Sequence, residues 1–177
     1  MELQKTRERL MHSSSKQPWK PILVKIAPDL MTGEVDQILA VCDERGVDGI
    51  IATNTTVSRE GVADDPLSKE AGGLSGPPLF PKALAMVSYI HKMSPHLPIV
   101  GVGGISSADD AFQMLQEAGA RLVQVGTGLV YEGPWLPRNI NIGLIERLKE
   151  RFSSVTYFTP EPPSRVVPKL HPQSVVK

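Results

Sequence analysis

The 177-residue sequence lacks several features that would assign it directly to a class of protein. Its single cysteine, Cys42, excludes an internal disulfide and is compatible with a reducing compartment. The 19 basic residues equal the 19 acidic ones, so net charge does not indicate a nucleic-acid partner or a membrane surface. No apolar run is long enough to span a bilayer. The four histidines have no metal-ligand spacing, so the sequence predicts no metal site.

The two ends of the sequence are expected to lie outside the folded domain. The first residues have no hydrophobic signal core, and Glu2 and Glu8 argue against a transit peptide, because such peptides are poor in acidic residues. We expect residues 1–20 to contribute only a residual helix and a loop. Residues 153–177 are rich in proline and are predicted to form a disordered tail.

Between residues 21 and 152, short apolar strands alternate with amphipathic helices, four times over. The predicted strands cover residues 22–27, 49–55, 99–102 and 122–125. The predicted helices cover residues 34–45, 81–93, 108–118 and a last segment around 140–148. The first of them has Cys42 on its apolar face and ends at Gly46. This order is typical of an α/β fold with a parallel sheet and right-handed crossovers. Two architectures fit it, an open doubly wound sheet and four βα units of a (βα)8 TIM barrel.

Polar residues and glycines at the strand ends favour the half barrel. Barrel enzymes carry their chemistry at the carboxyl ends of the strands, with a phosphate site in the turns after the last two. The third strand runs into Gly103 and Gly104, and the pair Ser106 and Ser107 then opens a helix, in which Ser107 and Asp110 have the spacing of a capping box. Glycines let the backbone approach a phosphate, and N–H groups in a first helical turn can bind it. A tight strand-to-helix turn explains this segment equally well.

Lys25 is the one charged residue within the first predicted strand. Alternation along a strand places Lys25 on the opposite face from Val24 and Ile26. One face must pack under helices, so Lys25 is predicted to point into the mouth of the barrel. A lysine there is costly unless an anionic or strongly polar group receives it. The alternative is a structural lysine whose ammonium group reaches solvent from a strand end.

Two further segments offer polar groups near strand ends. Thr53, Asn54 and Thr55 follow the second strand, and an asparagine amide can donate and accept hydrogen bonds to a planar ligand. Ordinary turn chemistry is the alternative. The glycine-rich segment 72–76 lies in a connection over residues 57–78, which is longer than most loops and is therefore expected to be functional or disordered.

In this order and approximate spacing, the motifs resemble those of dihydroorotate dehydrogenases, especially the class 2, quinone-linked branch. The resemblance runs from about residue 21 to residue 149. The segments that carry it are Ile22-Leu23-Val24-Lys25-Ile26-Ala27-Pro28-Asp29-Leu30, Thr53-Asn54-Thr55-Thr56, Gly72-Gly73-Leu74-Ser75-Gly76, Gly101-Val102-Gly103-Gly104-Ile105 and Val123-Gln124-Val125.

The resemblance implies an FMN-containing oxidoreductase of pyrimidine biosynthesis that oxidises dihydroorotate to orotate and passes electrons to a quinone. It also implies the mitochondrial inner membrane as the location, and the C-terminal half of a TIM barrel as the fold of this chain. The cofactor-binding residues that it implies are Lys25, Thr53, Gly76, Gly104, Gly126 and Thr127. The substrate-binding residues that it implies are Asn54 and Thr55.

The sequence also departs from the family pattern. The family usually has tyrosine where this chain has Gly126. The segment with the family's serine base, the first four strands and the helices of the quinone entrance have no counterpart in these residues. No catalytic residue is therefore assigned, and a missing N-terminal half of the barrel is an expected partner.

Three functional hypotheses remain open from the sequence. The chain acts as a dihydroorotate dehydrogenase once the other half of the barrel is supplied. Alternatively, it is a catalytically inactive half barrel that binds FMN weakly or serves only as an interaction partner. The third hypothesis is another FMN barrel, against which Lys25 and the segment 53–55 argue. Without the targeting and membrane segments of the family, the expected location is the cytoplasm.

Overall fold

The computed structural model describes residues 2–12 and 20–152, so the predicted loop at 13–19 and the predicted disordered tail at 153–177 lie outside the described residues. In chain order the elements are α1 (Glu2–His12), β1 (Leu23–Ile26), α2 (Thr32–Arg45), β2 (Gly49–Ala52), α3 (Phe80–Met93), β3 (Ile99–Val102), α4 (Ala108–Phe112), β4 (Leu122–Gln124), α5 (Thr127–Glu132) and α6 (Leu136–Phe152). Helix α4 continues as a π-helical segment, Gln113–Glu117.

The four strands form one parallel sheet in the sequential order β1-β2-β3-β4. This order confirms the four predicted βα units. It also decides between the two predicted architectures, because a doubly wound sheet reverses its strand order at a switch point whereas a barrel adds each strand beside the last. The chain therefore has the α/β fold of four consecutive units of a TIM barrel.

The core lies between the sheet and the helices. Val24, Ile50 and Ile99 are in register on adjacent strands, and Ile50 and Ile99 are buried under the helices. The helices supply the other side of this core with Val35, Leu39, Cys42, Ala83, Val87, Ile90 and Met114. Cys42 is buried as predicted for the apolar face of α2, and its burial raises the pKa of its thiol.

Strand β2 ends at Ala52, three residues before its predicted end. The chain leaves the regular ladder there but stays bound to both neighbouring strands. Thr53 N donates to Val102 O at 2.7 Å, and Asn54 N donates to Ile26 O at 2.7 Å. The predicted strand end is therefore a connecting segment whose side chains are held at the carboxyl edge of the sheet.

Two further elements differ from the sequence prediction. The connection over residues 57–78 contains two 3₁₀ helices, Pro66–Lys69 and Pro77–Leu79. Helix α5 was not predicted, because its two turns begin within a glycine-rich segment. Its Gly128 packs so closely on the turn after β3 that an added Cβ would lie 2.8 Å from Ile105 O. Among the described helices, none is long and apolar enough to cross a membrane.

Candidate functional site

A cavity of about 140 Å³ opens at the carboxyl ends of the strands. Its lining consists of Lys25, Thr53, Asn54, Thr55, Ser75, Gly76, Leu79, Val102, Gly103, Gly104, Ile105, Gln124, Gly126 and Thr127. Every cofactor- and substrate-binding residue that the resemblance implies is in this lining, although the residues come from four different βα units. The cavity is smaller than the roughly 300–1,000 Å³ of typical ligand pockets. The described residues therefore enclose less space than a typical ligand pocket.

Lys25 contributes the cationic group of the cavity. The register places it beside Ile51, on the face of the sheet opposite to the buried row that contains Ile50. Its side chain is exposed, whereas the next residue, Ile26, is buried in the core. Alternation along β1 thus holds the ammonium group on the cavity side, as predicted.

The segment after β2 has a buried and an exposed part. Thr53 is 1% exposed, and its Oγ1 donates to Asn54 O at 2.9 Å. Asn54 and Thr55 are exposed at the cavity, and Asn54 Oδ1 accepts a hydrogen bond from Thr55 N at 2.9 Å. Thr53 therefore anchors the segment while the next two side chains remain accessible to a ligand.

Gly104 shapes the turn after β3. Its φ of +69° lies in the left-handed region that L-residues other than glycine rarely adopt. A Cβ at this position would lie 2.6 Å from Phe80 Cβ and 2.8 Å from Gly76 O. The turn after β3 thus packs directly on the start of α3, and only glycine fits between them.

The turns after the third and fourth strands meet in the cavity. Thr127 Oγ1 donates to Ser75 Oγ at 2.8 Å, which connects the end of β4 to the segment before α3. Ser75 was not singled out from the sequence, because a serine beside two glycines indicates only a turn. Within the described residues, the backbone N–H groups of Gly104 and Gly126 donate no hydrogen bond. The two amides and the Ser75 hydroxyl form a set of donors suited to an anion, which the Thr127 hydroxyl joins when its proton turns from Ser75 to a ligand.

The chain itself occupies several amides around the start of α4, where the sequence left both an anion site and a tight turn open. Ser107 and Asp110 form the predicted capping box, with Asp110 N donating to Ser107 Oγ at 3.1 Å. However, Asp110 Oδ2 also accepts from the backbone N–H groups of Ser106 and Ser107, each at 3.0 Å. A carboxylate of the chain therefore already occupies those amides. Any anion would bind nearer to Gly104 and Thr127.

Asp29 links the loops after β1 and β2, a role that the sequence analysis missed. Its carboxylate accepts from Thr56 Oγ1 at 2.5 Å, from Val57 N at 2.9 Å and from Lys82 Nζ at 3.4 Å. Burial opposes ionisation of Asp29, but the three hydrogen bonds outweigh it and lower the pKa of the carboxyl group. Asp29 is therefore a fixed anion that positions the segment carrying Asn54.

The lining of the cavity has donors but few groups suited to acid–base chemistry. None of the lining residues is Asp, Glu, His or Cys. In the described part of the chain, no group of three such residues could hold a metal ion. The arrangement can bind and orient an anionic or polar ligand, and it can stabilise negative charge through Lys25.

The comparisons with known proteins agree on one family. The family model described as dihydroorotate dehydrogenase matches residues 2–148. The chain is 54% identical over 133 residues to dihydroorotate dehydrogenase (quinone) of Chloroflexus aurantiacus, covering 73% of this chain and 36% of that protein. It is 49% identical over 129 residues to the protein of the same name from Parvibaculum lavamentivorans, covering 72% of this chain and 37% of that protein.

Solved structures give the same result. The crystal structure of DHODH from Eimeria tenella in complex with ferulenol matches with a TM-score of 0.77 and 34% identity, covering 84% of this chain and 42% of that one. The ligand-free structure from the same organism matches with a TM-score of 0.71 and 37% identity. The chain spans little more than a third of the length of the curated relatives.

Proposed function

Because the chain belongs to the dihydroorotate dehydrogenase family, we propose that it forms the FMN- and orotate-binding wall of an enzyme that oxidises dihydroorotate to orotate in pyrimidine biosynthesis, with a quinone as acceptor. The observation that carries this proposal is the cavity, in which Lys25, Asn54 and Thr127 meet at the carboxyl ends of the strands. The mitochondrial inner membrane is the proposed location of the complete enzyme, which rests on the resemblance alone.

The chemistry of the donors fits FMN. Thr127 Oγ1, Ser75 Oγ and the amides of Gly104 and Gly126 would hold the phosphate, and Lys25 would lie at the flavin ring. Bound FMN would supply the acceptor for the hydride of dihydroorotate. Lys25 supplies a fixed positive charge where negative charge develops on the ring, which favours its reduction. Thr53 and Gly76 are the remaining proposed FMN-binding residues of the cavity lining.

Asn54 and Thr55 are the proposed substrate-binding residues. Both are exposed to the cavity, and the segment that carries them is held by Thr53 and Asp29. An amide and a hydroxyl can pair with the alternating donors and acceptors of a pyrimidine ring and with its carboxylate. A rigid backbone at this point orients the substrate against the flavin and reduces the entropy lost on binding.

The remaining wall of the site is the proposed contribution of an N-terminal half barrel. General base catalysis requires a base within hydrogen-bond reach of the transferred proton, and the lining contains no carboxylate, imidazole or thiol. The two outer strands of the sheet, β1 and β4, are the edges that a closing barrel would pair. A catalytically inactive half barrel is the competing function, favoured by the small cavity.

Complementation tests the proposed function. The 177-residue chain would be assayed for dihydroorotate-dependent quinone reduction alone and together with the first four βα units of a quinone-linked relative. We expect turnover and bound FMN only in the mixture. Turnover by the chain alone would refute the argument about the missing base. A mixture that assembles but binds no FMN would support the inactive half barrel.

Thr127→Val is expected to weaken FMN binding about tenfold, because it removes one hydrogen bond to a charged phosphate while keeping the side-chain shape. Flavin fluorescence quenching in the complemented enzyme measures the dissociation constant. Thr127→Ser is the matched control, since it retains the hydroxyl group and should bind FMN nearly as well as the unmodified protein. Equal affinities of the valine and serine variants would argue against a phosphate contact.

A further inference from the structure

Arg59 is the polar centre of the long connection between β2 and α3. Its guanidinium donates to main-chain carbonyl oxygens at both ends of this connection. Nε donates to Ser68 O at 2.8 Å, and Nη2 donates to Gly72 O at 2.7 Å and to Glu70 O at 3.0 Å. Nη1 donates to Val57 O at 3.2 Å. The partners of these bonds are carbonyl oxygens, so the arrangement depends on the fork of donors as well as on charge.

Apolar packing contributes little to holding this connection in place. The side chains of Val57 and Leu67 are 76% and 71% exposed. A surface loop with few buried apolar contacts opens easily unless polar contacts restrain it. Arg59 is half-buried beneath the loop and bonds to both of its ends. Its guanidinium is therefore a main restraint on the loop.

The restrained loop ends directly at the cavity. Thr56 and Leu74 pair through two main-chain hydrogen bonds, of 3.0 and 2.8 Å. The residues next to this pair, Thr55 and Ser75, belong to the cavity lining. Gly73 lies so close to Thr55 that an added Cβ would overlap the threonine side chain. The distance between the two cavity walls therefore depends on how tightly the loop is closed.

We infer that Arg59 is a positioning residue, whose guanidinium closes the 57–74 loop and so holds the substrate wall at Asn54 and Thr55 against the phosphate wall at Ser75. The inference rests on the proposed function for the identity of the ligands. The spacing of the two walls does not depend on that identity. Arg59 itself lies outside the cavity and touches neither ligand.

Hydrogen exchange of the full chain and FMN titration of the complemented enzyme test this inference. Arg59→Ala and Arg59→Lys are compared with Lys69→Ala, which removes an exposed cation from the same loop. We expect both Arg59 variants to exchange the amides of residues 54–56 and 74–76 about tenfold faster, with the β3 amides unchanged. Arg59→Lys should not keep the loop closed, because one ammonium group cannot reach carbonyl oxygens on both sides of the loop. FMN affinity should fall about fivefold in both variants, by loss of preorganisation.

Added ethylguanidinium distinguishes positioning from general stability. It should restore slow exchange and FMN affinity to Arg59→Ala, whereas ethylammonium should not. Unchanged amide exchange at the cavity walls in Arg59→Ala would overturn the inference. Exchange rates and FMN affinity of Arg59→Lys equal to those of the unmodified protein would overturn it as well. Faster exchange throughout the sheet would also overturn it, because that result indicates a global role. If the unmodified complemented enzyme binds no FMN, the proposed flavin site fails, while the exchange data on the chain still decide whether Arg59 spaces the walls.

Discussion

Replacing Lys25 with alanine in the complemented enzyme is expected to slow flavin reduction by dihydroorotate about 100- to 1,000-fold, the usual cost of removing one electrostatic stabiliser of a transition state. The ammonium group lies on the cavity face of β1 and is exposed, so its loss leaves no buried cavity. The free energy of unfolding should therefore change by less than about 0.5 kcal/mol. Stopped-flow absorbance of the flavin measures the rate, and urea denaturation measures the stability.

Lys92→Ala is the matched control for this experiment. Lys92 is an exposed lysine near the end of α3, away from the cavity lining. The substitution of Lys92 should leave both the rate of flavin reduction and the free energy of unfolding unchanged. If Lys25→Ala reduces its flavin as fast as this control, Lys25 has no part in the mechanism. If Lys25→Ala instead unfolds at a much lower urea concentration than the control, Lys25 is the structural lysine that the sequence analysis gave as the alternative.

Gly104→Ala is expected to reduce FMN affinity at least tenfold and to lower the free energy of unfolding by about 1–3 kcal/mol, as overpacked sites do. The added Cβ would meet Phe80 Cβ at 2.6 Å and Gly76 O at 2.8 Å, at a backbone φ of +69°. Relief of these contacts must move the turn after β3 away from α3, and the Gly104 amide moves with it. Calorimetry of FMN binding and urea denaturation measure the two effects.

Gly126→Ala provides a control in the same cavity. Gly126 has a φ of −131°, and an added Cβ would have no neighbour within 4 Å. Its substitution should therefore change stability by less than about 0.5 kcal/mol. Similar losses in Gly104→Ala and Gly126→Ala would show that steric fit at the β3 turn does not control the site. Retention of FMN by Gly104→Ala would remove this turn from the phosphate wall.

The residue patterns of the sequence predicted the fold well, and the residues that the resemblance implied all lie in the cavity lining. Short apolar strands between amphipathic helices predicted the four βα units, and Gly46 correctly marked the end of α2. Lys25 was placed on the cavity side by strand alternation alone. These predictions succeed because each depends on residues close together in sequence, whose periodicity reflects one buried face.

The capping box shows where such local reasoning stops. The pattern Ser107-x-x-Asp110 was predicted correctly. The sequence does not show which other amides the Asp110 carboxylate will reach. The structure directs Asp110 Oδ2 to the N–H groups of Ser106 and Ser107. The pattern that identifies the helix start therefore also occupies two amides just before it.

By itself the sequence determined the order of the strands and helices, the apolar face of each, and the family to which the chain belongs, since these follow from residue type and short-range spacing. The tertiary structure decided which strand ends share a cavity, that Thr127 binds Ser75, and that Arg59 and Asp29 restrain the loops behind it. Those contacts join residues from separate connections, several through main-chain carbonyl oxygens that every residue possesses. Only the folded path of the chain selects which of these oxygens each side chain meets.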